Sequence, residues 1–302
     1  MSRLRTLARW AGAAVVAGSV VSLARRRKVA HVRVRFDLGH RVQRGPAPGE
    51  VRLSVIVPAY GEADRIGDTV RLLRKELEPV AAGGGLEIIV VDDGSSDGTG
   101  FVAESAGADR VIVHGVNRGK GAAVRSGVLA ARGRTVAFTD ADLSYSPDHL
   151  IELLEQVEAG WDVVVGSRRH DDTTTLVKAR RLREIGGRAI NLLTRVVLLG
   201  RYRDTQCGVK AFRSDLAQLI FGHSHVDGFA FDVEVFHLVE AYHLSLSEVP
   251  VRVQNSTRST VHVVRDAAVM VRDVFAVRRW SAQGRYDLDP HEVALVARSG
   301  SD

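Results

Sequence analysis

The fold is decided by the stretch LSVIVPAYGEADRIGDTVRLLRKELEPVAAGGGLEIIVVDDG, residues 53–94. It opens with an apolar run rich in β-branched residues that stops at a proline, and it closes with a second apolar run that stops at paired aspartates. Between the two runs, apolar residues recur at helical spacing, at Ile66, Val70, Leu73 and Leu77. Strand, helix and strand in this order predict a βαβ unit with parallel strands.

The same alternation continues along the chain. VIVHG (111–115) and TVAFTDAD (135–142) are further strand candidates, and GAAVRSGVLAARG (121–133) between them has a helical pattern. We therefore predict an α/β fold with a mostly parallel central sheet and helices on both faces. In such sheets, ligands bind beyond the carboxyl ends of the strands.

Residues that could contact a ligand, most of them polar, lie at the ends of the predicted strands at that edge. They are Pro58, Tyr60 and Glu62 at the first strand, Asp92 and Asp93 at the second, and Asp140 and Asp142 at the fourth. Alternate carboxylates at a strand end, as in Asp140-Ala141-Asp142, can turn toward one hard cation, so we predict Mg²⁺ or Mn²⁺ held together with substrate phosphates. The alternative is a solvated strand end.

Two glycine-containing segments have both a structural and a functional interpretation. VVDDGSSDGT (90–99) has turn composition, but Asp92 or Asp93 could also accept hydrogen bonds from a nucleobase or ribose. NRGKGAAVRSG (117–127) combines small residues with Lys120 and Arg125 at a helix start, which is typical of a turn that holds an anion.

The charge of the chain is unevenly distributed. The total is +6, but residues 1–50 carry +9 and residues 51–255 carry −4. A nucleic-acid-binding domain spreads its Lys and Arg over the folded surface, so this division argues against a nucleic-acid partner and favours a basic end facing a membrane surface. The single cysteine, Cys207, excludes an internal disulfide and indicates a reducing compartment.

The N-terminal residues 1–28 are predicted to form a membrane-associated helix with a basic flank. WAGAAVVAGSVVSLA (10–24) is uncharged and is followed directly by RRRK (25–28), which favours the cytoplasmic face of a membrane. The run is shorter than the about 20 residues of a full span, so a tilted anchor, a peripheral interfacial helix and a signal peptide all remain open. Residues 29–50 have the composition of a linker.

A basic strip lies inside the acidic middle of the chain. Residues 166–203 contain ten Lys and Arg but only three acidic residues. Such a run is either a solvated face or a site for phosphate at a membrane, and the apolar segment 189–200 favours the second. Residues 256–286 predict an amphipathic helix that packs on the domain or docks on a membrane, followed by a flexible tail at 287–302.

Seven segments in order closely resemble the family 2 glycosyltransferases of the GT-A fold. They are VIVPAYGE, VVDDGSSDGT, NRGKGAAVRSG, FTDADLSYSP, VVVGSRR, RDTQCGVKAF and FDVEVF. The resemblance covers 51–255 as the catalytic domain and is greatest to the dolichyl-phosphate β-glucosyltransferases, with the polyprenyl-phosphate mannose synthases as near relatives.

The resemblance implies roles for individual residues. The nucleotide-sugar contacts would be Pro58, Ala59, Tyr60, Glu62, Asp92, Asp93, Gly119, Lys120, Asp140 and Gln206. Asp140 and Asp142 would bind the metal, and Asp232, Glu234 and Arg168 would be catalytic. If the acceptor is an alcohol, a general base is needed, and Asp232 is the first choice for it with Glu234 second. From the basic strip, Arg169, Arg180 and Arg181 are the candidates for binding the lipid phosphate.

The implied reaction is an inverting transfer of a hexose, glucose from UDP-glucose, to a polyprenyl or dolichyl monophosphate. Where many mannose synthases have DADLQHPP, this chain has DADLSYSP, which favours the glucosyl branch. GDP-mannose as donor and a hydroxyl acceptor are the alternatives. A catalytically silent nucleotide-sugar-binding or scaffolding protein is a further one, which the DAD and FDVE carboxylates disfavour.

Overall fold

The alternation of apolar strands and helices is present in the computed structural model, which describes residues 41, 44–168, 207–252 and 263–297, with the backbone alone for 263–268. The strands are β1 (Val51–Ala59), β2 (Leu86–Asp92), β3 (Arg110–Val113), β4 (Gly133–Phe138), β5 (Val163–Ser167), β6 (Lys210–Arg213) and β7 (Leu246–Pro250). The helices are α1 (Ala63–Glu76), α2 (Glu78–Ala82), α3 (Thr99–Ser105), α4 (Lys120–Ala130), α5 (Asp148–Glu158), α6 (Ser214–His223), α7 (Phe231–Ala241), α8 (Val263–Ala282) and α9 (Pro290–Val296).

Within the described residues, seven strands form one sheet in the order β3, β2, β1, β4, β6, β5, β7. β6 runs antiparallel to β4 and β5, and the other neighbouring pairs are parallel. Ala59 pairs with Asp92 in the register, so the turns after β1 and β2 leave the sheet side by side. The predicted mostly parallel sheet is confirmed.

Hydrophobic cores cover both faces of the sheet, as predicted. On one face, Ile56, Val91 and Phe138 pack with residues of α4, α6 and α7. On the other face, Val55 and Val90 pack with residues of α1, α3 and α5. Strands buried on both faces leave the sheet edges and the connecting loops as the places where polar side chains can meet a ligand.

The C-terminal region belongs to the first of these cores. Val274 and Val277 of α8 are fully buried and Tyr286 nearly so, whereas Phe275 on the same helix is exposed. The helix predicted for 256–286 therefore packs on the domain within its described part, and the folded unit extends past the predicted boundary at 255.

The predicted flexible tail at 287–302 is wrong for its first ten residues. Residues 290–296 form α9, which begins with a capping box between Asp289 and Glu292 and a proline in its first turn. Leu295 and Val296 pack against the core. The capping residues can be read from the sequence Asp-Pro-His-Glu, but the contacts of the partly buried Leu295 and Val296 with the core cannot.

Residues 44–50 of the predicted linker are anchored to the domain. The Arg44 guanidinium donates to Asp162 Oδ1 at 2.8 Å and to the Leu295 carbonyl at 2.7 Å, and Ser214 Oγ donates to the Pro48 carbonyl at 2.6 Å. The helix predicted at 1–28 lies outside the described residues. None of the helices in the part of the chain that the structure describes is long and apolar enough to cross a membrane.

Candidate active site

The turn after β2 fixes the start of α1. The backbone N–H groups of Gly61, Glu62 and Ala63 donate to Ser95 Oγ, Thr99 Oγ1 and Asp97 Oδ2 at 2.9, 2.9 and 3.1 Å. These bonds satisfy N–H groups at and near a helix start, which have no partner inside the helix. Of the predicted nucleotide contacts on β1, Pro58 and Ala59 lie inside the strand, while Tyr60 beyond its end is 53% exposed.

Asp92 is buried at the end of β2 and is engaged by its own loop. Its Oδ1 accepts from the Ser95 N–H and its Oδ2 from the Gly100 N–H, both at 2.9 Å. This carboxylate therefore shapes the turn and the start of α3. A contact with a nucleobase or ribose would use the lone pairs that remain, and it stays a prediction.

Asp93 is buried as well, and it holds the segment that leads into α4. Oδ1 accepts from the Arg118 N–H at 3.0 Å and Oδ2 from the Gly119 N–H at 2.7 Å. The His114 ring lies 2.6 Å from Oδ1 and 2.9 Å from Ser126 Oγ. A role for His114 was not expected from the sequence, where it is a single histidine at a strand end.

Two carboxylates and two lysines form an alternating group, which we call the carboxylate–lysine row: Asp140, Lys120, Asp232 and Lys210. Lys120 Nζ donates to Asp140 Oδ1 at 2.5 Å, and Lys210 Nζ donates to Asp232 Oδ1 at 2.7 Å. The four residues come from the loop after β4, the start of α4, the first turn of α7 and β6. The fold thus joins residues from four separate predicted motifs.

Lys210 is the member that sequence reasoning missed. Its side chain is fully buried, donates to the Cys207 carbonyl at 2.6 Å, and lies 5.3 Å from the centre of the Phe138 ring. A buried ammonium without a partner is strongly unfavourable, so the Asp232 carboxylate is its required counterion. The available signal was a lone lysine between apolar residues in VKAF (209–212), and the structure shows this lysine to be the first residue of strand β6.

Burial and the neighbouring charges of the carboxylate–lysine row shift the pKa values of Asp232 and Lys120. Burial raises the pKa of Asp232 above its ordinary value, while the ammonium groups of Lys210 and Lys120 act in the opposite direction. Burial opposes the charged form of Lys120, but the carboxylates of Asp140 and Asp232 outweigh it and raise the lysine pKa. Lys120 is therefore a cation held by two carboxylates.

Glu234, the second candidate base, is fully buried and has a different environment from Asp232. It accepts from the N–H groups of His225 and Val226 at 2.8–3.0 Å and from the Tyr286 hydroxyl at 2.6 Å. Burial raises its pKa, and these hydrogen bonds act against that rise. Glu234 thus ties the 225–226 turn to the C-terminal region.

That turn continues into a segment that supports the start of α4. Gly119 has φ +103°, and a Cβ there would lie 2.5 Å from the Asp227 carbonyl oxygen, so both the conformation and the space require glycine. The Ala122 N–H donates to the same carbonyl at 3.1 Å, and Arg125 forms an ion pair with the Asp227 carboxylate. The position of Lys120 at the helix start therefore depends on residues 225–227.

The predicted metal ligands lie in the loop after β4. Asp142 Oδ1 accepts from the Ser144 N–H at 3.0 Å and from its hydroxyl at 2.8 Å. Burial raises the pKa of Glu62, and the charges of Asp142 and Asp140 contribute to the rise. Carboxylate oxygens suit a hard divalent cation. Among the described residues, however, no group of three or more His, Cys, Asp or Glu side chains could hold a metal ion, so the assignment stays a prediction.

Of the remaining predicted site residues, the structure describes one and leaves four outside the described residues. Arg168 directly follows β5 and is exposed. Gln206 and the proposed lipid-phosphate ligands Arg169, Arg180 and Arg181 lie outside the described residues.

Residues 54–221 match the family model described as glycosyl transferase family 2, which is more than half of the chain. The chain belongs to this family. The dolichyl-phosphate β-glucosyltransferase of Drosophila melanogaster is 37% identical over 242 residues, covering 75% of this chain and 74% of that protein. The human protein of the same name is 31% identical, covering 80% and 82%. This family 2 enzyme is thus a glycosyltransferase, and the resemblance inferred from its motifs is confirmed.

Solved structures agree on the fold. Mannosyl-3-phosphoglycerate synthase from Rubrobacter xylanophilus matches with a TM-score of 0.58 at 24% identity, covering 80% of this chain and 78% of that one. Glucosyl-3-phosphoglycerate synthase from Mycobacterium tuberculosis, solved with Mn²⁺, UDP and glucosyl-3-phosphoglycerate, matches with a TM-score of 0.55 at 23% identity, covering 79% and 81%. At this identity the likeness supports the predicted GT-A fold and not a shared substrate.

Proposed function

We propose that this glycosyltransferase moves glucose from UDP-glucose to a polyprenyl monophosphate, with inversion at the anomeric carbon. The support comes from relatives named dolichyl-phosphate β-glucosyltransferase in fly, human and yeast, at 29–37% identity over 75–80% of this chain. The observation within the molecule that carries the proposal is the carboxylate–lysine row, which places two cations and two carboxylates at the ligand-binding edge of the sheet.

The reaction makes specific demands on these residues. The bond from glucose C1 to the β-phosphate oxygen breaks, UDP leaves with the electron pair, and an acceptor phosphate oxygen bonds C1 from the opposite face. Negative charge grows on the leaving diphosphate, so preformed positive groups near it lower the barrier. Lys120 is such a group, because its surroundings keep it protonated.

A divalent cation, Mg²⁺ or Mn²⁺, fits the donor chemistry of Asp140 and Asp142, since such ions take one or two carboxylates and complete their shell with water and phosphate oxygens. When bound, it would supply Lewis-acid neutralisation of the diphosphate. The structures of Mycobacterium tuberculosis glucosyl-3-phosphoglycerate synthase with Mn²⁺ or with Mg²⁺ support this by analogy of fold.

Asp232 is the carboxylate of the row that we assign to the acceptor side. A phosphate monoester has a second pKa of about 6, so near neutral pH its attacking oxygen is already ionised. Such an acceptor needs little help from a general base. Asp232 would then orient the acceptor and keep Lys210 and Lys120 charged. With a hydroxyl acceptor, the same carboxylate would have to remove a proton. Glu234 is already bound by three groups of the chain and is a positioning residue in this scheme.

We assign the membrane contact to regions outside the described residues. The basic flank at 25–28 and Arg169, Arg180 and Arg181 would meet anionic headgroups and the acceptor phosphate at the cytoplasmic face of a membrane.

The test combines donors with acceptors. The full chain is incubated with UDP-glucose or GDP-mannose, each with a short polyprenyl phosphate, the matching polyprenol or no acceptor, with and without Mn²⁺. We expect a hexosyl lipid only from UDP-glucose, polyprenyl phosphate and Mn²⁺ together. A product from polyprenol would instead support a hydroxyl acceptor. No lipid product from any combination would reject the lipid-acceptor proposal.

A further inference from the structure

The Lys120 ammonium lies where the Asp140 carboxylate would be expected to meet a cation. Lys120 Nζ donates to Asp140 Oδ1 at 2.5 Å, so the ammonium is in direct contact with this oxygen. The lysine side chain is 22% exposed and that of Asp140 28%, so the pair is accessible from solvent yet largely enclosed. An ammonium ion and a divalent cation would compete for this oxygen.

The second oxygen of Asp140 has little freedom. A Cβ at Gly208 would overlap Asp140 Oδ2, so this oxygen lies close against the backbone of Gly208. Rotation of the carboxylate toward Gly208 is therefore restricted. The flexible member of the pair is the lysine, whose long side chain can swing about its four single bonds.

Lys120 also has another carboxylate within its electrostatic reach. The Asp232 carboxylate attracts the ammonium of Lys120 as Asp140 does, so a second carboxylate faces the lysine when it leaves Asp140. Asp142 Oδ1 accepts from the N–H and the hydroxyl of Ser144. Asp140 and Asp142 thus offer two carboxylates to a hard cation, which would complete its shell with water and phosphate oxygens.

We propose that Lys120 is an internal counterion that occupies Asp140 until the nucleotide diphosphate draws the ammonium away, so that divalent-cation binding depends on the nucleotide. The diphosphate supplies new acceptors for Lys120 and the missing ligands for the cation. By thermodynamic linkage, the nucleotide and the cation tighten each other by the same factor. The proposal rests on the proposed function only for the choice of UDP as the nucleotide.

The test measures Mn²⁺ binding by electron paramagnetic resonance, with and without UDP and with no acceptor present. For the full wild-type chain we expect UDP to tighten Mn²⁺ binding by at least about tenfold. Lys120→Met removes the charge at similar length, so Mn²⁺ should bind at least about tenfold more tightly without UDP, and most of the UDP dependence should disappear. Lys75→Met is the matched control, because Lys75 lies on α1 and is 79% exposed.

Two further variants make the result decisive. Lys120→Gln is a second neutral replacement in case the methionine variant unfolds, and thermal unfolding is recorded for both. Asp140→Asn combined with Lys120→Met should abolish the tighter binding, which locates the ion at Asp140. The proposal is overturned if the folded neutral variants bind Mn²⁺ no more tightly than wild type, or if UDP has no effect on wild type.

Failure of this proposal and failure of the proposed function give different results. Mn²⁺ binding requires no transfer of glucose, so the expected affinities together with no glucosyl lipid would reject only the proposed reaction. Glucosyl lipid formation with unchanged Mn²⁺ affinity in the Lys120 variants would reject only the counterion role.

Discussion

The turn after β2 and the carboxylate–lysine row both present paired carboxylates at the same edge of the sheet, but they use them differently. Asp92 and Asp93 are buried, and each accepts two backbone N–H groups of the chain. Asp140 and Asp232 accept instead from lysine side chains. Backbone partners fix a loop, whereas a partly exposed ammonium such as that of Lys120 can exchange for a ligand. We therefore expect loss of stability at Asp92 and Asp93 and loss of activity at Asp140, while the fully buried Lys210–Asp232 pair contributes to stability.

Breaking the buried pair Lys210–Asp232 should have the largest effect. Lys210→Met leaves an unpaired buried carboxylate and should lower the free energy of unfolding by about 3–5 kcal/mol. The double variant Lys210→Met with Asp232→Asn removes both charges and should recover at least about half of that loss. Urea unfolding of the variants measures both. Equal losses in the single and double variants would show that the two groups do not depend on each other.

Asp140→Asn should affect catalysis and not folding. We expect glucosyl transfer to fall by about 10²–10³-fold, because an amide would hold the cation that neutralises the leaving diphosphate less tightly, and loss of one such preorganised group typically costs this much. The unfolding free energy should change by less than about 1 kcal/mol, because the Asp140 and Lys120 side chains are 28% and 22% exposed and water can reach the pair. Initial rates measure the expected loss of transfer, and urea unfolding measures the change in the free energy of unfolding. A variant with at least a third of the wild-type rate would contradict the assigned role.

Asp93→Asn should show the opposite pattern. An asparagine offers one acceptor oxygen where the carboxylate serves the Arg118 and Gly119 N–H groups, so we expect a loss of about 2–3 kcal/mol. Below the unfolding transition the rate should stay within about tenfold of wild type. Asp68→Asn, at an exposed ion pair with Arg71, is the control and should change stability by less than about 0.5 kcal/mol. Losses of similar size in Asp93→Asn and Asp68→Asn would show that the buried Asp93 contributes no more to stability than the exposed Asp68.

The smallest expected effect concerns the C-terminal region. Tyr286→Phe removes the hydroxyl that donates to Glu234 and should cost about 1–2 kcal/mol, since the acceptor is a buried carboxylate. Tyr242→Phe removes a neighbouring hydroxyl that donates to the Tyr286 carbonyl at 3.1 Å, and it should cost about 1 kcal/mol or less. Thermal unfolding of the two variants measures the difference. A larger loss in Tyr242→Phe than in Tyr286→Phe would contradict the role of Glu234 as the link between the 225–226 turn and the C-terminal region.

The first four strands were predicted because strand periodicity and the polar residues at strand ends are local signals, whereas β5, β6 and β7 were not predicted as strands. Asp92, Asp93 and Asp140 were found from strand ends and Asp232 from the resemblance to the family, but the partners of these carboxylates were not found. Lys210 is 22 residues from Asp232, and Tyr286 is 52 residues from Glu234. Contacts between residues distant in the sequence decide which carboxylates are already bonded to other groups of the protein. Strand and helix periodicity does not predict such contacts.

The C-terminal region shows the same limit. The flexible tail was predicted from its position at the chain terminus, although Asp289 and Glu292 already form a capping-box pattern. What holds α9 is the contact of Leu295 and Val296 with the core and the bonds from Arg44, about 250 residues away in the chain. The capping pattern of α9 can be read from the sequence, but its contacts with distant parts of the chain cannot.

The most direct test of the proposed reaction is the mass of the lipid formed from UDP-glucose and a short polyprenyl phosphate by the full chain in the presence of Mn²⁺. We predict a product heavier by one hexose residue with its phosphate retained, and no such product with Asp140→Asn. Hydrolysis of UDP-glucose with no change in the lipid, or the same product in equal amount from Asp140→Asn, would contradict the account.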